Sequence, residues 1–178
     1  FWKSPKPTIA AVHGFCLAGA FELALACDIT IAGLNTKFGE PEVRFGTGIV
    51  AMLLPWITGP KQAKQILLSG EDKITAADAL TMGIVNKVVP DQTVVTEALE
   101  TAHNIAKAGE RAVRLTKQAI NNSYEAMGFN QALKSSLNLD VLLNAAPDPL
   151  NEKFSRIRNE KGLKAAIEWR DNRLTHKP

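Results

Sequence analysis

The sequence predicts an α/β fold: a core of alternating strands and helices over residues 1–90, then an all-helical region over residues 91–178. Three observations lead there. In the first half, short apolar runs rich in β-branched residues alternate with small-residue helical runs, the pattern of a layered strand–helix–strand fold. From Asp91 onward apolar residues recur at the 3.6-residue period of amphipathic helices. Finally, 178 residues with 46% hydrophobic and 22% charged content can bury a core, which excludes a disordered chain.

In order along the chain, Thr8-Ile9-Ala10-Ala11-Val12 lies between Pro7 and Gly14 and reads as a buried strand. Residues 14–18 read as a turn, with His13 leading into it, and Gly19 opens a short alanine-rich helix to Ala26. Residues 29–32 make a second strand and residues 37–39 a third, very short one, so strand, helix and strand form a compact crossover unit. Residues 48–57 are apolar with Pro55 inside, where a helix kinks or ends early. Residues 61–68 are helical and stop at Ser69-Gly70. Thr75-Ala76-Ala77-Asp78 has the form of a capping box with Asp in place of Glu, and Gly83 stands where a helix C-cap belongs. Residues 84–89, β-branched and closed by Pro90, read as a strand.

The second half carries three apolar stripes: Val94, Ala98, Leu99, Ala102 and Ile105; Val113, Ala119, Ile120, Tyr124 and Met127; and Phe129, Leu133, Leu137 and Val141. Pro147-Asp148-Pro149 breaks the pattern before two short amphipathic stretches. Stripes of this length on a small core call for a further surface, and a partner subunit supplies one. A formal charge of +3 is too small to argue for nucleic acid or an anionic membrane surface, and no apolar run approaches the ~18 residues of a membrane span. Cys16 and Cys27 make neither a disulfide framework nor zinc spacing; they read as small core residues in a reducing compartment. No cluster has metal-ligand spacing, so no metal site is expected. The first residues carry no signal-peptide pattern, and the expected location is cytoplasmic, or the mitochondrial matrix in a eukaryote.

The chemistry-bearing segment is IAAVHGFCLAGAFELALACDI, residues 9–29. A strand delivers the chain to a small-residue turn, and Ala18-Gly19-Ala20 opens a helix whose first N–H groups have no partner within it. Small residues let a ligand approach that backbone, a setting suited to a developing oxyanion. Glu22 stands one turn into the helix, and Glu42 follows twenty residues later beside Pro41. Taken singly, each has an ordinary reading: close packing for the turn, a dipole partner for Glu22, a loop carboxylate for Glu42.

Lys6-Pro7-Thr8-Ile9-Ala10-Ala11-Val12-His13-Gly14, Leu17-Ala18-Gly19-Ala20-Phe21-Glu22 and Ala26-Cys27-Asp28-Ile29 together resemble the signature region of the enoyl-CoA hydratase/isomerase, or crotonase, family. The similarity continues at Phe38-Gly39-Glu40-Pro41-Glu42, Leu68-Ser69-Gly70, Ala76-Ala77-Asp78-Ala79, Gly83-Ile84-Val85 and residues 162–170. It implies a crotonase-type spiral of ββα units, followed by a helical oligomerisation region that builds trimers, often paired into hexamers. By the same resemblance Gly19 matches a backbone donor to the thioester oxygen, and Glu22 and Glu42 match the two hydratase glutamates. Leu17, Ala18 and Gly46 fall among the substrate-binding positions. The implied reaction is syn addition of water across the α,β-double bond of an acyl-CoA thioester, with no cofactor beyond the CoA of the substrate. A Δ3,Δ2-enoyl-CoA isomerase or another acyl-CoA enolate enzyme is the neighbouring reading, and a non-catalytic oligomeric binding protein the reading from another class. Isomerising relatives often keep one acid; keeping both favours hydration.

Two departures stand out. The glycine-rich loop that follows the second glutamate in hydratases is here Gly46-Thr47-Gly48-Ile49-Val50-Ala51-Met52-Leu53-Leu54-Pro55, with bulky residues at the glycine places, which opens the question of acyl chain and reaction type. The family's first third, which supplies the other oxyanion donor, finds no match, so the sequence reads as the C-terminal two-thirds of a crotonase fold. Arg170, Arg173 and Lys177 are basic residues placed to reach CoA phosphates, in this subunit or a neighbour.

Overall fold

Two small sheets alternate along the chain. In the computed structural model, which describes residues 1–48 and 52–175, β1 (Ile9–Val12) and β3 (Ile29–Gly33) pair in parallel, Ile9 opposite Ile29 and Val12 opposite Ala32. On the other side of β3 lies β6 (Lys87–Val89), also parallel. A second sheet pairs β2 (Phe15–Leu17) in parallel with β4 (Lys37–Gly39), Cys16 opposite Phe38, and ends in the antiparallel β5 (Ile74–Thr75). The chain gives one strand to each sheet and then a helix: β1, β2 and α1 (Gly19–Ala26), then β3, β4, α2 (Leu54–Thr58) and α3 (Pro60–Ser69). Because both sheets pair in parallel between successive turns, the turns stack as a spiral. After β5, α4 (Ala76–Thr81) leads to β6.

The structure corrects the sequence reading in three places. Residues 14–18 are not all turn: Gly14, at φ +70°, makes the turn, and Phe15–Leu17 is a strand whose partner β4 lies far along the chain. Pro55 does not kink a helix, because it sits in the first turn of α2, where its missing N–H has no acceptor to lose. The strand at residues 84–89 is only Lys87–Val89. Gly83, at φ +76°, folds the chain so that the N–H groups of Ile84 and Val85 donate to the Ala79 carbonyl at 2.8 and 3.3 Å, and both side chains enter the core from a loop. The capping box holds: Thr75 Oγ1 accepts from the Asp78 N–H at 3.1 Å and donates to the Asp78 carboxylate at 2.6 Å.

Phe21 and Phe38, ring centroids 5.4 Å apart, sit at the middle of the core with Leu25, Leu54, Ile66 and Ile74 around them. Gly39 permits the tightest approach. A Cβ there would lie 2.1 Å from the Glu71 carbonyl oxygen and 2.4 Å from Asp72 Cα, so only glycine lets β4 pass the turn after α3.

The helical region attaches at a few points. Val94 and Ala98 of α5 (Val94–Ala106) pack on Ile31 and Val89. Lys117 of α6 (Glu110–Ala126) is buried and donates to Asp28 Oδ2 at 2.7 Å and the Lys6 carbonyl at 3.1 Å. Phe129, opening α7 (Phe129–Ala145), stacks on Trp2 at 4.4 Å. Two helices follow, α8 (Pro149–Lys161) and α9 (Leu163–Thr175). Away from these points Ile120, Met127, Leu139, Leu142 and Leu163 lie exposed. Among the described residues no helix is long and apolar enough to cross a membrane, and no group of His, Cys, Asp and Glu is arranged to hold a metal ion.

Candidate active site

The site begins where β2 meets α1. Ala18 has φ 57° and ψ −135°, a conformation that a residue with a side chain rarely adopts and that costs ~1–3 kcal/mol. It is held there from both sides: its N–H donates to the Gly39 carbonyl at 2.9 Å, and its carbonyl accepts from Phe21 and Glu22 at 2.8 and 3.0 Å. The turned-over backbone directs the chain into α1, whose opening N–H groups, Gly19 first, have no partner within the helix. A Cβ built on Gly19 would meet nothing within 4 Å, so the side-chain face of this residue is open. Leu17, half-buried, ends β2 opposite Gly39.

The carboxyl groups arrive from two elements. Glu22 is the fourth residue of α1 and half-buried. At the end of β4 the chain runs Glu40-Pro41-Glu42, and Glu42 opens a 3₁₀ turn, Glu42–Phe45. Glu40 is 1% exposed, pinned by its N–H to the Glu71 carbonyl at 2.8 Å. Burial first, then the charge of Glu42, a hydrogen bond to it and the charge of Glu22 push the Glu40 carboxyl up to about 9. Burial, and more weakly the charge of Glu22, also raises Glu42, against the lowering effect of hydrogen bonds from its own N–H and from Glu40. Three carboxyl groups therefore share one neighbourhood beside the open helix terminus.

The 3₁₀ turn is braced from the far end of the chain. Arg44 pairs with Asp72 at 3.1 Å and donates to the Ser69 carbonyl at 3.1 Å. Arg170 of α9 pairs with the same Asp72 at 3.4 Å, and its guanidinium lies 4.8 Å from the Phe45 ring centroid. This corrects the expectation for Arg170: it is a buried brace, 7% exposed, and not a hand extended toward phosphates. Arg173 donates to the Arg44 carbonyl at 3.2 Å; Lys177 lies outside the described residues. Gly46 ends the turn at φ +72°, and a Cβ there would lie 2.2 Å from Asp148 Oδ1 at the start of α8. Thr47 Oγ1 donates to Asn144 Oδ1 at 3.3 Å, and Gly48 lies close against Asp140 and Leu143, so the loop after Glu42 begins packed on α7. Residues 49–51 of that loop lie outside the described residues.

The structure thus brings Glu22, Glu42, Gly19, Ala18 and Leu17 to one region, while Gly46 faces α8. Cys16 is buried, its thiol raised to about 11 mainly by burial, which makes it a poor nucleophile. The sequence reading passed over Glu40 and the Arg44–Asp72–Arg170 brace. The signal for Glu40 was an acid placed directly after a strand with no cation beside it.

A family model described as enoyl-CoA hydratase/isomerase matches residues 1–171. A crotonyl-CoA hydratase of Syntrophomonas wolfei is 37% identical over 170 residues, covering 93% of this chain and 60% of that protein. A short-chain-enoyl-CoA hydratase of Clostridium acetobutylicum is 36% identical over the same shares, 93% and 60%. Among solved structures, an enoyl-CoA hydratase/isomerase of Xanthobacter autotrophicus superposes with a TM-score of 0.95 at 51% identity, covering 97% of this chain and 64% of that one. The chain therefore spans about 60% of the length of the curated relatives it matches.

Proposed function

The chain belongs to the enoyl-CoA hydratase/isomerase family and has its crotonase-type fold; from that premise we propose that the protein is an enzyme that hydrates the α,β-double bond of an acyl-CoA thioester. The observation that carries this reading is the pair Glu22, on the helix that Gly19 opens, and Glu42, with the charge of Glu22 close enough to raise the Glu42 carboxyl. Water oxygen bonds to C3, and the π electrons move through C2 toward the thioester oxygen. The Gly19 N–H, at the positive end of α1, stabilises the charge that develops there. Glu22 and Glu42 between them take one proton from the water and return one to C2, which closes the balance of the addition. Leu17 and Ala18 border the thioester, while Gly46, packed against α8, shapes the turn that carries Glu42. Retention of both carboxyls supports hydration over isomerisation, for which a single acid suffices. No cofactor is needed beyond the CoA of the substrate.

The same reading extends to assembly and compartment. The apolar side chains left exposed on α6 and α7, Ile120, Leu139 and Leu142 among them, support a homotrimer or a dimer of trimers. Two free thiols suit a reducing compartment, the cytoplasm or a mitochondrial matrix. The deciding experiment follows the absorbance of the conjugated thioester of crotonyl-CoA. Hydration abolishes the band, and Glu22→Gln or Glu42→Gln prevents its loss. Full activity in both variants would overturn the assignment.

A further inference from the structure

Glu40 has no part in the chemistry just proposed, yet it is an acid 1% exposed and hydrogen-bonded to one of the two reacting carboxyls. Two carboxylates cannot hydrogen-bond each other; one of them must hold a proton, and the one that holds it becomes the donor. Neither Glu40 Oε2 nor Glu42 Oε2 finds a hydrogen-bond donor among the described residues, so no cation or N–H neutralises the pair at those atoms. Arg44 and Arg170, the cations that brace this turn, are both engaged by Asp72. The groups that face Glu40 add to the pressure. Glu42 comes from the 3₁₀ turn, Glu22 from α1 and the neutral Cys16 thiol from β2, while the turn after α3 offers its backbone carbonyl at Glu71. Glu40 is also the more deeply buried partner, so the proton belongs on it and the charge on Glu42.

We propose that Glu40 is a positioning residue that stays protonated and donates a hydrogen bond to the Glu42 carboxylate, fixing both the direction and the charge of the group that faces the substrate. The protonation of Glu40 rests on its burial and on the unpartnered Oε2 atoms of both acids; its consequence for rate rests on the hydratase reading. A neutral donor at Glu40 lets Glu42 remain ionised while half-buried, with Glu22 close by. An ionised Glu40 does the opposite, repelling Glu42 and releasing its orientation. The site is therefore built to fail at alkaline pH, by a change in a group that never touches substrate.

The test uses the full chain and three preparations: the parent, Glu40→Gln, which keeps a neutral donor, and Glu40→Leu, which has none. Infrared spectra near neutral pH, with 13C-labelled glutamate, should contain the carbonyl band of a protonated acid that disappears in Glu40→Gln. In crotonyl-CoA hydration, Glu40→Gln should retain kcat within about threefold and lose the parent's fall in rate around pH 9. Glu40→Leu should lower kcat by ~10–100-fold with little change in KM. A protonated-acid band that persists in Glu40→Gln, or the same alkaline fall in both proteins, overturns the proposal even if Glu40→Leu does not fold. Hydration without the band defeats the proposal alone. The band without hydration of any enoyl-CoA defeats the hydratase reading and leaves the acid pair standing.

Discussion

One exception to the usual rule of burial in the strand–helix core and one in the helical region are of opposite kinds. In the core an acid, Glu40, is 1% exposed. In the helical region Leu142 is 68% exposed and Leu139 65%. A buried carboxyl is costly and an exposed leucine forgoes a gain, so each marks a place where something other than the stability of a lone chain decides the residue. In the core Glu40 lies beside Glu42 and near the charge of Glu22, as expected of a site. In the helical region Leu139 and Leu142 lie together on α7, the arrangement a contact surface would have. Burial alone would score both as defects; what surrounds each residue tells them apart.

Substitutions can break this contrast, and the core should give the largest effects. Glu22→Gln and Glu42→Gln should each lower kcat for enoyl-CoA hydration by about 10²-fold or more while leaving the circular-dichroism spectrum and the mass in light scattering as they were. A change of mass in either variant would blur the division. Next comes the brace. Asp72→Asn leaves Arg44 and Arg170 facing each other across a neutral side chain and should destabilise the chain by about 3 kcal/mol in denaturant titration.

A third effect is sharpened by pH. The Glu40 carboxyl titrates at about 9 in the folded chain against an ordinary 4.5, so its contribution to stability is complete below the ordinary value and fades as pH rises through the folded one. Thermal midpoints should fall between about pH 5 and pH 9, and Glu40→Gln should flatten the fall by roughly 5 °C. The smallest effect on the fold belongs to the helical region. Leu142→Lys should leave stability within ~0.5 kcal/mol of the parent, because its side chain is already in solvent, and a mass below the parent's in light scattering would mark its face as a subunit contact.

Much of the frame was legible in the sequence because its signals are local. The run Thr8 to Val12, the alanine-rich helix after Gly19, and the Thr75–Asp78 cap each carry their own pattern within a few residues. What was not legible depends on distant partners. Phe15–Leu17 and Ile74–Thr75 are strands of three and two residues that exist because β4 lies between them. Pro55 was misread because where a helix begins decides whether a proline breaks it. In the candidate site, Glu22, Glu42 and Gly19 were singled out by their match to a family motif. The weight of Glu40 was not, since its burial follows from the backbone of Glu71 and Asp72 crossing over Gly39.

The Arg170–Asp72 pair joins residues 98 positions apart, and the turn that carries Glu42 leans on both. Closing a loop of that span is slow compared with forming the local turns of the core, because the entropy of the intervening chain must be lost before the contact forms. The order of events during refolding follows from this. Helical signal and the burial of Phe21 and Phe38 should return first, and catalytic competence last, when α9 docks and the turn beneath it sets. The final helix is then the clock of the site, and a chain interrupted before Arg170 would hold Glu22 and Glu42 and still lack the frame beneath the turn that carries Glu42.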